Sequence, residues 1–331
     1  MARQGSSVTP FSIRLLATDD RTDIDLLSLL PASYRTSSDN LVAPKNQVMN
    51  CIGKELDLER LDKVQKWLWV AGRPLPPRPL HCQLFLGREI IAIEQMGLHL
   101  VWTTGRMFLK PVPRFLLEPR FWTEYLSCLQ GCECAIANVQ CGRKKLRRCA
   151  LGFLFSYAAL ITHENDLLIA KEKRLIPSEV KWQDWRKFVE ELDTENIYSR
   201  INIRFIYGEL RLGRLNKIYY SQRPFLCGYV SRWNQYKSFF HDNFTWLAST
   251  TVYIVVVLTA LQVGLATNSL GNNAAFQSAS YGFTILSILG PLIASGIILV
   301  LFIHIFLSNW HQTVKYRNQR LHSIGISSGG A

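Results

Sequence analysis

Two runs decide the architecture of this chain: WLASTTVYIVVVLTALQVGLA at residues 246–266 and FTILSILGPLIASGIILVLFIHIFL at residues 283–307. Each is long enough for a helix to cross hydrocarbon, which takes roughly 20 apolar residues. Both lie in a tract, residues 244–314, that has no Asp, Glu, Lys or Arg, although charged residues make up 19% of the chain. An aqueous domain does not leave so long a stretch uncharged. The tract therefore reads as a C-terminal two-helix transmembrane hairpin, and residues 267–282, polar and uncharged, as its turn. Arg232 and Lys237 precede the first span, and Lys315, Arg317 and Arg320 follow the second. The positive-inside rule then puts both termini in the cytosol, with residues 315–331 as a cytosolic tail.

Just upstream, in and around RFIYGELRLGRLNKIYY (204–220), the residues Tyr198, Ile201, Phe205, Gly208, Leu212, Leu215 and Tyr219 recur at alternating intervals of three and four. That spacing predicts an amphipathic connector helix with a heptad seam, and with Arg204, Arg211, Arg214 and Lys217 off the seam and able to meet anionic headgroups. Tyr229, Trp233, Tyr236 and Phe240 predict a second helix lying at the bilayer surface, so residues 196–243 form a connector region.

Residues 51–195 read as a mainly helical cytosolic domain with a small β element. Leu58, Leu61, Val64 and Leu68 mark one helical face that stops at Gly72, and GREIIAIEQMGLHLVWTTGRMFLKPVP (87–113) reads as two or three short strands with a turn at TTGR. Helical periods resume after Pro119, in a 14-residue apolar run at 149–162 and in SEVKWQDWRKFVEEL, for which Ser178 is the expected cap. The apolar run is too short to span and reads as a buried core helix. Residues 1–50, rich in Ser, Thr, Asp and Asn, read as largely disordered, apart from a short docking helix at DLLSLL (25–30) that Pro31 ends. Asp25, Leu29 and Leu30 also match the spacing of a dileucine sorting signal. The N-terminus lacks the apolar core of a signal peptide, so the eight cysteines are expected to be reduced.

Candidate chemistry is sparse. Cys128, Cys132, Cys134, Cys141 and Cys149 cluster at irregular spacing, without the paired CxxC of most zinc sites, and are expected to be inert thiols, so no cofactor or metal is expected. GRKKLRR puts Arg143, Lys144, Lys145, Arg147 and Arg148 in one run, a candidate lipid-facing basic patch. THEND (162–166) lacks the second histidine of HExxH, and His81 and His99 are isolated in sequence, which favours structural roles. Within the spans, Gln262 and Ser287 are candidate intramembrane contacts, because Pro291 frees the Ser287 carbonyl, and His304 is a third candidate. Ala260 and Gly264 facing Gly290 and Ala294 would let the two helices approach closely.

LHLVWTTGRMFLKPVPRFLLEPRFW, RFIYGELRLGRLNKIYY, LTALQVGLAT and ASYGFTILSILGP together resemble a family of uncharacterised fungal membrane proteins, a domain of unknown function, over about residues 55–320. The resemblance implies the two-span architecture and no activity. A subtilisin-like protease label is rejected, because neither a His-Gly-Thr nor a Gly-Thr-Ser element is present. The layout also resembles CorA-type magnesium channels, but Gly264 to Ala266 read Gly-Leu-Ala where those carry Gly-Met-Asn. Before residue 244 there are 35 Lys and Arg against 25 Asp and Glu. The expectation is a non-enzymatic, membrane-anchored protein that binds anionic lipid or a protein partner, with no nucleic-acid role. The alternative is a homo-oligomeric, CorA-like channel or transporter.

Overall fold

The computed structural model describes residues 9–16, 25–128, 132, 141–222, 229 and 236–323. The chain divides into two units, Met1–Val230 and Ser231–Ala331.

The first unit recruits its N-terminal segment. Phe11, Leu15, Leu16, Leu26, Leu29 and Leu30 are all buried in the main core, so the expected disorder is corrected for residues 9–16 and 25–50. Phe11 meets the rings of Trp122 and Phe188 edge-on. Asp25 caps a 3-10 turn, Leu26–Leu29, by accepting from the Leu27 amide at 3.0 Å. Burial of Leu29 and Leu30 removes them as a sorting signal. Residues 1–8 and 17–24 lie outside the described residues.

A small ribbon, β1 (Tyr34–Arg35) with β2 (Leu41–Val42), precedes α1 (Val48–Glu55). The expected helix over residues 56–71 is broken into α2 (Glu59–Asp62), a 3-10 turn at Gln65–Trp67 and α3 (Leu68–Ala71). Its apolar face was nonetheless legible, since Leu58, Leu61, Val64 and Leu68 are all buried. After the prolines come α4 (Leu80–Phe85), β3 (Glu89–Ala92), β4 (Val101–Thr103) and β5 (Arg106–Leu109). β4 and β5 form an antiparallel hairpin over Gly105, whose φ of +71° suits a residue without Cβ. β3 joins β5 in parallel.

α5 (Pro119–Glu124), α6 (Gly142–Leu160), α7 (Glu164–Glu172) and α8 (Trp182–Glu191) complete the core. α6 is the expected buried helix, with Phe153, Leu154, Tyr157 and Leu160 fully covered. α8 starts four residues later than Ser178 would place it, with Lys181 at the cap position.

Residues 198–220 depart most from expectation, because no continuous connector helix forms there. Ile197–Ser199 and Ile203–Ile206 are 3-10 turns, β6 (Leu210–Arg211) follows, and only α9 (Leu212–Gln222) is helical. Gly208 explains the break. Its amide donates to the Leu75 carbonyl at 2.9 Å, and a Cβ there would sit 2.6 Å from the Pro77 nitrogen. β6 then pairs in parallel with β4, giving the sheet order β3-β5-β4-β6. The seam residues Ile201, Phe205, Leu215 and Tyr219 are buried in this unit's own core. A channel layout with a long connecting helix loses its structural basis in that segment.

Tyr229, expected at the bilayer surface, is buried against Tyr219 and Arg60, and its hydroxyl donates to the Gly97 carbonyl. The expected surface helix otherwise falls largely on residues outside those described.

The second unit is a helical hairpin, α10 (Tyr236–Leu265), α11 (Asn268–Gly271) and α12 (Ala274–Ser323). Two of its helical segments, Thr245–Leu265 and Ala274–His322, are long and apolar enough to cross a membrane. Large apolar side chains such as Val252, Val256, Leu286, Leu292 and Ile293 are exposed along both helices. The turn is shorter than expected, because residues 274–282 already belong to α12 and the helix continues past residue 314. The shorter turn shifts the hairpin register. Gly264 lies against Phe276, while a Cβ at Gly290 would meet nothing within 4 Å, so the expected Gly264–Gly290 approach is not made. Likewise no hydrogen bond joins Gln262 to the Ser287 carbonyl among the described residues; Ser287 Oγ donates to the Thr284 carbonyl at 2.7 Å. Gln262 and His304 are exposed.

Candidate functional site

Three buried polar side chains fix the sheet and what lies beside it. Arg204, expected to face headgroups, is 1% exposed. Its guanidinium donates to the His99 carbonyl at 2.7 Å, the Gly208 carbonyl at 3.3 Å and the Tyr207 carbonyl. Burial lowers its pKa to about 10, which still leaves it charged at neutral pH. Lys110, fully buried, binds Glu55 Oε2 at 2.7 Å and the Glu94 carbonyl at 2.6 Å. His99 accepts from the Lys110 amide through Nδ1 at 3.1 Å, so Nε2 carries the proton and donates to Ser156 Oγ at 2.8 Å.

Burial, and then the nearby Arg204 and Lys110 cations, hold the His99 pKa well below its usual value. The unfolded chain therefore takes up a proton at this residue before the folded one does. Stability contributed at His99 is complete above the unfolded pKa of about 6.5 and declines as pH falls below it. Denaturant midpoints between pH 7.5 and pH 5 should fall for the wild type and fall less steeply for His99→Gln; equal slopes would contradict the assignment.

Beside this frame β6 and the α3–α4 connection enclose a cleft of about 470 Å³, lined by Trp69, Gly72, Arg73, Leu75, Arg78, Trp102, Glu209, Arg211 and Arg214. Gly72 forms its floor, bridged to Leu210 so closely that a Cβ would sit 2.6 Å from the leucine side chain. Glu209 is held by Arg78 Nε at 2.9 Å, Arg88 Nη1 at 2.7 Å and Gln83 Nε2 at 2.8 Å. Burial alone would raise its carboxyl, but these hydrogen bonds outweigh that effect and bring its pKa down to about 2. One anion is thus matched to two arginines before any ligand arrives.

Trp102 carries Arg88 at 4.2 Å and Arg211 at 5.3 Å from its ring centre. Arg214 donates to the Val70 carbonyl at 3.1 Å. Among the described residues, no carboxylate pairs with Arg73, Arg211 or Arg214. Trp69 is 61% exposed and Leu75 58% exposed at the rim. The cleft therefore offers surplus cations between two indoles, an arrangement suited to a phosphate carried on an apolar or ring-bearing group.

The sequence pointed elsewhere, to Arg143–Arg148. There the structure spends most of the charge internally. Arg143 donates to the Glu124 carbonyl, Arg148 to the Ile201 carbonyl, Arg147 to Ser127 Oγ, and Lys145 pairs with Asp62 at 2.8 Å. Lys144 remains exposed on the first turn of α6. In sequence the arginines of the cleft are spread from residue 73 to residue 214, so no local run could reveal them.

Two further clusters exist. His81, His163 and Asp166, distant or unrelated in sequence, place their ligand atoms within 4.8 Å of one another. Asp166 is fully buried, however, and accepts from the His81 amide and Nδ1, the Thr162 amide and hydroxyl, and the His163 amide. Its lone pairs are used in tying α4 to the start of α7, a structural role. Of the cysteine cluster, Cys149 is buried in the core, where burial pushes its thiol up, and Cys134 lies outside the described residues. Cys128, Cys132 and Cys141 come together.

A family model described as a family of unknown function, DUF6601, matches residues 48–291. The chain is a DUF6601 protein. The match spans both units of the DUF6601 fold, from α1 to the proline inside α12. No curated protein and no solved structure matches the chain. Nothing in the family match supports a protease.

Proposed function

We propose that this DUF6601 protein is a non-catalytic binding protein, anchored in a membrane by its C-terminal hairpin, whose globular unit holds the phosphate of an anionic lipid headgroup in the Trp69–Trp102 cleft. The observation that carries the reading is the set of three arginines, Arg73, Arg211 and Arg214, that face the cleft without a carboxylate partner among the described residues. The exposed apolar surface of α10 and α12 supplies the anchor, and the flanking Arg and Lys residues put both chain ends on the cytosolic side. Exposed Trp69 and Leu75 at the rim would rest against acyl or glycerol groups, as amphipathic interfacial residues do.

Full-length protein in neutral detergent, titrated with short-chain phosphatidic acid or phosphatidylcholine while Trp fluorescence is followed, tests this. Only the anionic lipid should bind, and Arg73→Ala with Arg211→Ala should weaken it about 10-fold or more, each lost charge-assisted contact being worth roughly 1 kcal/mol near a surface. Lys144→Ala should bind as wild type. Equal binding of both lipids, or full binding by the double variant, would sink the proposal. Competition by inorganic phosphate at similar concentration would show that the cleft reads free phosphate and not a lipid.

A further inference from the structure

We propose that Cys128, Cys132 and Cys141 form a zinc site that clips the end of α5 to the start of α6. The three sulfur atoms lie within 4.8 Å of one another, and Cys128 Sγ is 3.5 Å from Cys141 Sγ. Thiolates arranged tetrahedrally around one zinc, at about 2.3 Å from the metal, stand roughly 3.8 Å apart, so the cluster already has the dimensions of a ligand set. It does not have those of a disulfide, in which two sulfurs approach to about 2.05 Å and the third is left aside.

The surroundings suit thiolates. Cys141 is the N-cap of the 19-residue α6, and its sulfur accepts the Lys144 amide at 3.4 Å, where the helix presents its positive end. Arg143 and Arg147 reach Ser127, next to Cys128, at 3.3 and 3.4 Å. Three thiolates on one Zn²⁺ leave a net charge of −1, which these cations offset; binding displaces three protons, and the fourth position of the tetrahedron is open to water. The remaining buried cysteines contrast with this set. Cys51 sits in the core with its thiol pushed up to about 11, chiefly by burial, and Cys149 donates to the Leu56 carbonyl at 3.3 Å.

The spacing in sequence, three residues and then eight between ligands, lacks the short matched pairs of common zinc motifs. The folded arrangement is what supplies the argument. It also gives the site a task, since α5 and α6 each contribute to the core and the chain between them is closed by the metal.

Full-length protein purified in detergent with reductant and without added metal should contain about one zinc per chain by elemental mass spectrometry. After removal of zinc with a chelator, Co²⁺ should restore the intense near-ultraviolet absorption of thiolate-to-cobalt charge transfer. Cys128→Ser with Cys141→Ser should abolish both signals, while Cys82→Ser keeps them. Reduced wild-type protein that holds no zinc and gives no thiolate–cobalt band would overturn the proposal, with no reliance on a variant that fails to fold. So would zinc retained in the double variant, or a Cys128–Cys141 disulfide in protein isolated with reductant.

Discussion

Arg204→Ala is expected to destabilise the globular unit by about 3–5 kcal/mol, the range for removing one partner of a buried charged network. The side chain is 1% exposed and serves three carbonyls, from His99, Tyr207 and Gly208. Alanine would leave a large cavity and three acceptors without donors, where the sheet, Gly208 and β6 meet. Arg204→Lys should recover only part of the loss, because a single ammonium cannot reproduce a planar fork spread over three oxygens. Urea unfolding of the full-length protein in detergent, followed by Trp fluorescence, measures this directly. A loss below about 1 kcal/mol would mean that water replaces the guanidinium, and that the carbonyls do not depend on it.

A chain beginning at residue 48, where the family match starts, should fail to fold although it contains every matched residue. Phe11, Leu15, Leu16, Leu26, Leu29 and Leu30 would be missing from the core. Each buried side chain of this kind contributes roughly 1.5–3 kcal/mol, and six of them approach or exceed the net stability of an ordinary domain, about 5–15 kcal/mol. The uncovered surfaces of Trp122 and Phe188, which now meet Phe11, would also drive aggregation. Size exclusion in detergent should show the shortened protein in the void volume, and the full chain as a discrete peak. A monodisperse, cooperatively melting shortened protein would show that the N-terminal segment only decorates the core.

The parts of the fold that could be read in the sequence are those with local causes. The uncharged tract gave two long apolar helices, and the run at 149–162 gave a buried helix, because composition over a window fixes the solvent that a helix can tolerate. Residues 198–220 misled for the same reason. An apolar spacing of three and four says which residues are buried, and Ile201, Phe205, Leu215 and Tyr219 are. It does not say that one helix buries them. The close approach of Gly208 to residues 75–77, and the pairing of β6 with β4, decide that, and both are contacts between distant parts of the chain.

The N-terminal segment was misread because its six buried apolar residues are diluted by polar neighbours and have no periodicity. Of the candidate site, the arginines of the cleft are scattered, and their convergence depends on β6. The three cysteines were visible as a cluster, while the geometry that separates them from Cys149 was not.

The parallel pairing of β4 with β6 also bears on biosynthesis. Chains emerge from the ribosome N-terminus first. The nascent globular unit therefore holds an open β4 edge, and a His99 carbonyl without its guanidinium, until residues 204–211 appear. The next helix to be made is α9, and then comes α10, with the first of the two long apolar segments. Completion of the water-facing part and delivery of the candidate anchor to a bilayer thus fall in one interval of translation. A slow-closing variant would be lost at the membrane during synthesis, and it would never accumulate as a soluble misfolded product.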